Sequence, residues 1–164
     1  MKIEQKGNSF IITNFDEIEA YKVACKIEKE GLKFYKKLAE KVEDIKAKET
    51  LEVLIGQESD HLKFFQNCLF ELRKTQEDAN EDNDLLDSLD LGIFQPYESI
   101  ESLDKVLTNF HKVLKLGIIV EEKSIKFYEN CQSQVSSQSA KEGIGNIIEE
   151  EYKHKALIES LVEG

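Results

Sequence analysis

Apolar residues return at spacings of three and four along most of this chain, and each such run carries a charge on its apolar side. Over residues 15–42, Tyr21, Ala24, Cys25, Glu28, Leu32, Tyr35, Leu38 and Ala39 fall on one stripe, the mark of an amphipathic helix. A second helix is predicted after an Asp44 cap, running to about residue 74. Leu51, Leu54, Glu58, His61, Leu62, Phe65, Cys68, Leu69 and Leu72 lie in its register. A third, over residues 109–131, aligns Val113, Leu114, Gly117, Glu121, Ile125 and Tyr128. The fourth is capped at Ser136-Ser137, runs to about residue 162, and turns Ile144, Ile147, Ile148, Glu151, His154, Ile158 and Leu161 inward. A carboxylate inside an apolar stripe is costly unless something pairs with it, so the four glutamates need an explanation.

The remaining segments break the helical period. Ile3, Phe10, Ile11 and Ile12 flank Lys6-Gly7-Asn8-Ser9, which predicts a short β-hairpin within residues 1–14. Asn14 with Glu17 three residues later has the form of a capping box for the first helix. Over residues 75–102 acidic side chains crowd together, Glu77, Asp78, Glu81, Asp82, Asp84, Asp87 and Asp90 among them, and the segment reads as a solvated crossover linker ending near Pro96. Its Asp78-to-Asp82 run is not a calcium loop, because Asn83 stands where that loop needs Gly and Leu89 where it needs Glu. A short helix over residues 100–107 is expected before the second half, 103–164. The end of the second helix is apolar on more than one face. The surplus around Phe64 and Phe70 predicts contact with the hairpin, the linker or a second subunit, and hence a homodimer.

The two halves repeat. Glu28 and Tyr35 correspond to Glu121 and Tyr128, and Glu58-x-x-His61 to Glu151-x-x-His154, all at one offset (121 − 28 = 93; 151 − 58 = 93). Asp44 and Ser137 keep the same register as caps. Two duplicated helix hairpins joined by a crossover predict an all-α four-helix bundle, a single domain over 1–164.

Composition narrows the function. The net charge of −11 argues against nucleic acid and anionic membrane, which both require a basic footprint. Cys25, Cys68 and Cys131 are isolated, with no CxxC, so neither a zinc ribbon nor a thiolate iron centre can be built. Such cysteines suit a reducing compartment, and with no apolar leader or membrane-length apolar run a cytoplasmic location is expected. His111 has no partner in the repeat and is expected at the surface.

One carboxylate from each of two helices, plus Glu-x-x-His from each of the other two, is the donor set of a dimetal site in a bundle core. Carboxylates offset and bridge two cations, and each cation takes one imidazole. Glu58 and Glu151 are assigned as bridges, Glu28 and His61 to one metal, and Glu121 and His154 to the other. Oxygen and nitrogen donors without thiolate suit iron or manganese. Tyr35 and Tyr128 are read either as core aromatics or as donors to a carboxylate on a neighbouring helix.

Together, Glu28…Tyr35, Glu58-x-x-His61, Glu121…Tyr128 and Glu151-x-x-His154 resemble the rubrerythrin-like di-iron proteins of the ferritin-like superfamily, over residues 15–74 and 103–164. The resemblance implies two iron ions, with manganese or zinc as substitutes. It implies an oxidoreductase that reduces hydrogen peroxide or dioxygen in oxidative-stress defence. Lacking a rubredoxin-like cysteine cluster, the chain would take electrons from an external donor such as a rubredoxin. Rubrerythrins proper carry a further carboxylate one turn after the third-helix ligand. Ser124 stands there, so the set is symmetric, more like that of bacterioferritin. The alternatives are a ferroxidase handling iron and a bundle in which metal is only structural. Haem is not expected, since the only methionine is Met1.

Overall fold

The computed structural model describes residues 2–6, 9–13, 16–75 and 110–163. Two antiparallel strands, β1 (Lys2–Lys6) and β2 (Ser9–Thr13), pair with Lys2 opposite Thr13 and Lys6 opposite Ser9, giving the expected hairpin. Four helices follow: α1 (Glu17–Lys41), α2 (Ile45–Thr75), α3 (Phe110–Gln134) and α4 (Gln138–Glu163). α1 packs chiefly on α2 and α3 on α4. The two hairpins then meet through α1 against α3 and α2 against α4. This is the four-helix bundle that the periodicity predicts. The acidic crossover and the expected helix over 100–107 lie outside the described residues, as does the side chain of His111.

The first helix begins later than its sequence cue. Asp16, not Asn14, is the N-cap: its Oδ1 accepts from the Glu19 N–H at 2.8 Å, and Glu19 Oε2 accepts from the Asp16 N–H at 3.1 Å. Asp caps as well as Asn, and it has its own glutamate three residues on, so the box closes two residues downstream. Glu17, the partner assigned to Asn14, bonds elsewhere. It accepts from the Tyr21 hydroxyl at 3.1 Å and from the Ser136 hydroxyl at 2.9 Å, linking the start of α1 to the α3–α4 turn. The other two caps hold as read: Asp44 Oδ1 accepts from Ala47 N–H at 2.8 Å, and Ser137 Oγ from Ala140 N–H at 3.3 Å. α3 continues three residues beyond its predicted end, to Gln134.

The apolar stripes converge on one core containing Tyr21, Ala24, Tyr35, Leu51, Leu54, Phe65, Leu114, Tyr128, Ile144 and Ile158. Leu32 and Leu161, at the edges of their stripes, are half-buried. Part of the surplus apolar surface on α2 is used internally. The Phe64 ring lies against Gly143 of α4, so closely that a Cβ there would clash with it. Phe70 stays exposed, with the Lys74 ammonium 4.2 Å over its ring. Cys25 and Cys131 are buried and Cys68 half-buried, all as free thiols. Burial pushes the Cys25 thiol up to about 11, which makes it a packing residue. Among the described residues no helix is long and apolar enough to cross a membrane.

Candidate metal centre

Midway along the bundle each helix turns its charged residues into the core. α1 contributes Glu28, α2 Glu58 and His61, α3 Glu121, and α4 Glu151 and His154, none of them more than 4 % exposed. An i, i+3 spacing puts Glu58 with His61, and Glu151 with His154, on one helical face. Around them the packing is apolar and aromatic. The Tyr128 ring stacks on Phe65 at 5.2 Å, and the two imidazoles face each other at 5.4 Å and 22°.

The six side chains fall into two overlapping sets. Glu28, Glu58, His61 and Glu151 each place a donor atom within 4.8 Å of the others, and so do Glu58, Glu121, Glu151 and His154. Glu58 and Glu151 belong to both sets. Both histidines turn Nδ1 toward the carboxylates: His61 Nδ1 is 3.3 Å from Glu151 and 3.7 Å from Glu58, and His154 Nδ1 is 3.0 Å from Glu151 and 3.4 Å from Glu58.

Tyrosines on α1 and α3 cross-brace the outer carboxylates. The Tyr35 hydroxyl donates to Glu121, and the Tyr128 hydroxyl donates to Glu28. Both tyrosines are buried. Their phenols are held well above the ordinary value by burial and by the neighbouring carboxylates, so they stay protonated donors.

Sequence reasoning missed one contact. His61 Nε2 lies 2.8 Å from Glu150 Oε2, a side chain 42 % exposed. Glu150 is the middle of Glu149-Glu150-Glu151, where a solvated charge is the ordinary expectation. The signal that could have found it is its place beside Glu151, on the helix facing His61.

Four carboxylates in one dry pocket cannot all be ionised without counter-charge. Burial, then the charge of Glu58, raises Glu28 well above the usual carboxylate range; burial, then Glu151 and Glu58, does the same to Glu121. Burial acts upward on the two shared glutamates too. For Glu58 it is outweighed by the Glu28 carboxyl and the two imidazoles beside it, and the carboxyl is held below its usual range. Glu151 is likewise held low by His154, His61 and Glu121. The imidazoles answer in kind. Burial would lower them, but Glu151 and Glu58 push His61 up to about 10 and His154 up to about 9. Without a cation, then, the pocket balances its charge with protons.

The donor set fits hard to borderline cations better than it fits protons alone. His61 Nδ1 is buried and aimed at three carboxylates, yet has no hydrogen-bond partner among the described residues. Buried polar atoms are nearly always satisfied, and a cation between Nδ1 and the carboxylates would satisfy this one.

The model of one family, Rubrerythrin, matches the chain over residues 5–69 and over residues 19–162. No curated protein and no solved structure matches.

Proposed function

Since the chain belongs to the rubrerythrin family, we propose that its buried cluster is a di-iron centre that reduces hydrogen peroxide in preference to dioxygen. The observation that carries this reading is the sharing of Glu58 and Glu151 by two four-donor sets, each with its own histidine and its own outer glutamate. Glu28, Glu58, His61 and Glu151 would hold one ion, and Glu58, Glu121, Glu151 and His154 the other. Two ferrous ions bound there supply the two electrons that, with two protons, take hydrogen peroxide to water.

The chain's own residues do the rest. Glu58 and Glu151 keep the two positions in one pocket. Tyr35 and Tyr128 hold Glu121 and Glu28 by hydrogen bonds, so each outer carboxylate would keep its orientation as the charge beside it changes. Burial keeps bulk water from the cluster. His61 Nε2 holds its proton against Glu150, the point where the hydrogen-bonded network reaches the surface. Electrons would return from an external donor such as a rubredoxin, because the chain has no cysteine pair to hold a second iron centre.

A second reading, ferroxidase and iron handling, is favoured by Ser124. It is buried one turn after Glu121 and offers no carboxylate where a third-helix ligand exchange would need one. Stopped-flow mixing of the anaerobic diferrous protein with each oxidant at matched concentration separates the readings. Faster oxidation by peroxide, with iron retained, is expected. Faster oxidation by dioxygen, with iron then leaving, would establish the ferroxidase. No redox change with either would leave the metal a structural role.

A further inference from the structure

The repeat makes the two halves of the site equivalent in every donor, but not in what stands behind the histidines. Position 150 is related by the common offset to position 57 (150 − 93 = 57), as His154 is to His61. Glu150 meets His61 Nε2 at 2.8 Å. Its counterpart is Gln57, and His154 Nε2, in a residue with no exposed surface, has no hydrogen-bond partner among the described residues.

We propose that the two metal positions are inequivalent, with Glu150 a positioning residue that makes the His61 position the tighter one. The inference rests on the metal-centre reading above and deepens it. Both rings face the carboxylates through Nδ1. A neutral imidazole that gives the lone pair on Nδ1 to a cation must carry its proton on Nε2. At His61 that N–H has a carboxylate to donate to, which fixes the tautomer, holds the ring angle and makes Nδ1 more basic. At His154 the same ligation leaves a buried N–H with no acceptor among the described residues, a penalty that falls on binding at that position alone. Removing an outer partner of a ligating histidine typically lowers metal affinity about tenfold to a hundredfold, so a gap of that order should separate the two positions.

The test is an anaerobic titration of the full chain with Co(II) alone, followed by its visible absorption and by equilibrium dialysis. Uptake of two ions in two steps, separated by about tenfold or more, is expected. His154→Ala should keep the tight step and His61→Ala the weak one. Glu150→Ala should bring the first step down to the second while the metal-free protein stays folded. Glu150→Gln, which keeps an acceptor in place, should restore part of the loss, which a general structural effect would not do. Two ions taken up with a common affinity, the opposite assignment of steps in the histidine variants, or a Glu150→Ala titration identical to the parent's would each overturn the inequivalence. Failure to take up two ions at all would instead sink the metal-centre reading.

Discussion

The Tyr35 hydroxyl, on α1, donates to Glu121 on α3, and Tyr128 on α3 returns the same bond to Glu28 on α1. The two bonds tie together the helices that carry the outer carboxylates, and each gives a buried glutamate oxygen a partner. Tyr35→Phe and Tyr128→Phe keep the ring and remove only that partner. Each should cost about 1–3 kcal/mol of stability, the usual penalty for stranding a buried acceptor. Chemical denaturation of the metal-free variants measures this. A variant as stable as the parent would mean that the carboxylate has found water or another donor.

The overlap of the two donor sets makes the ligand variants fall into two classes. His61→Ala and His154→Ala should each impair one position, while Glu58→Ala and Glu151→Ala should impair both, since these two glutamates belong to both sets. Anaerobic Fe(II) titration of each single variant distinguishes the classes. Four variants that all bind two equivalents like the parent would refute the assignment.

Acidity should act on the metal-free and metal-loaded forms in opposite senses. His61, raised to about 10, and His154, raised to about 9, hold protons more tightly in the folded chain than in the unfolded one. Their contribution to stability is therefore complete below about 6.5, the ordinary histidine value, and is lost as pH rises through 9 to 10. Glu28 and Glu121, also raised, act in the same sense from the usual carboxylate range upward. Glu58 and Glu151 are lowered, so their contribution is lost only as pH falls into the acid range. The melting temperature of the metal-free chain should thus decline from pH 6.5 to 10. A divalent cation competes with those same protons, so the stabilisation it gives should grow over that interval. Scanning fluorimetry with and without anaerobic Fe(II) checks both trends, and a metal effect independent of pH would contradict the account.

Cation uptake near pH 7 should also release protons, at least one from each histidine, because both are protonated there beforehand. A weakly buffered titration with an indicator dye reads this directly. Uptake without proton release would show that the imidazoles are neutral before binding.

Much of this was legible in the sequence because it is governed by period. Glu28, Glu58, Glu121 and Glu151 sit on stripes that must face inward, and a shared offset brings them to one level of the bundle. Caps at Asp44 and Ser137 are local chemistry and could be read directly. What escaped depends on competition or on tertiary approach. Asn14 and Asp16 are comparable caps, and only the folded chain shows Glu17 engaged with Tyr21 and Ser136 instead. Phe64 was surplus by periodicity, but Gly143 on another helix opens a place for it. Glu150 lies just off its stripe, where composition predicts solvent and only helix–helix geometry supplies His61.

Each helix hairpin, taken alone, holds three of the four donors of one set: Glu28, Glu58 and His61 in the first, Glu121, Glu151 and His154 in the second. The fourth is always borrowed across the seam, Glu151 by one set and Glu58 by the other. Any cation that enters is therefore a rivet through both halves, and neither half can keep its own coordination while letting go of its neighbour. Loss of the ions would loosen the joint between the hairpins before it loosened either hairpin.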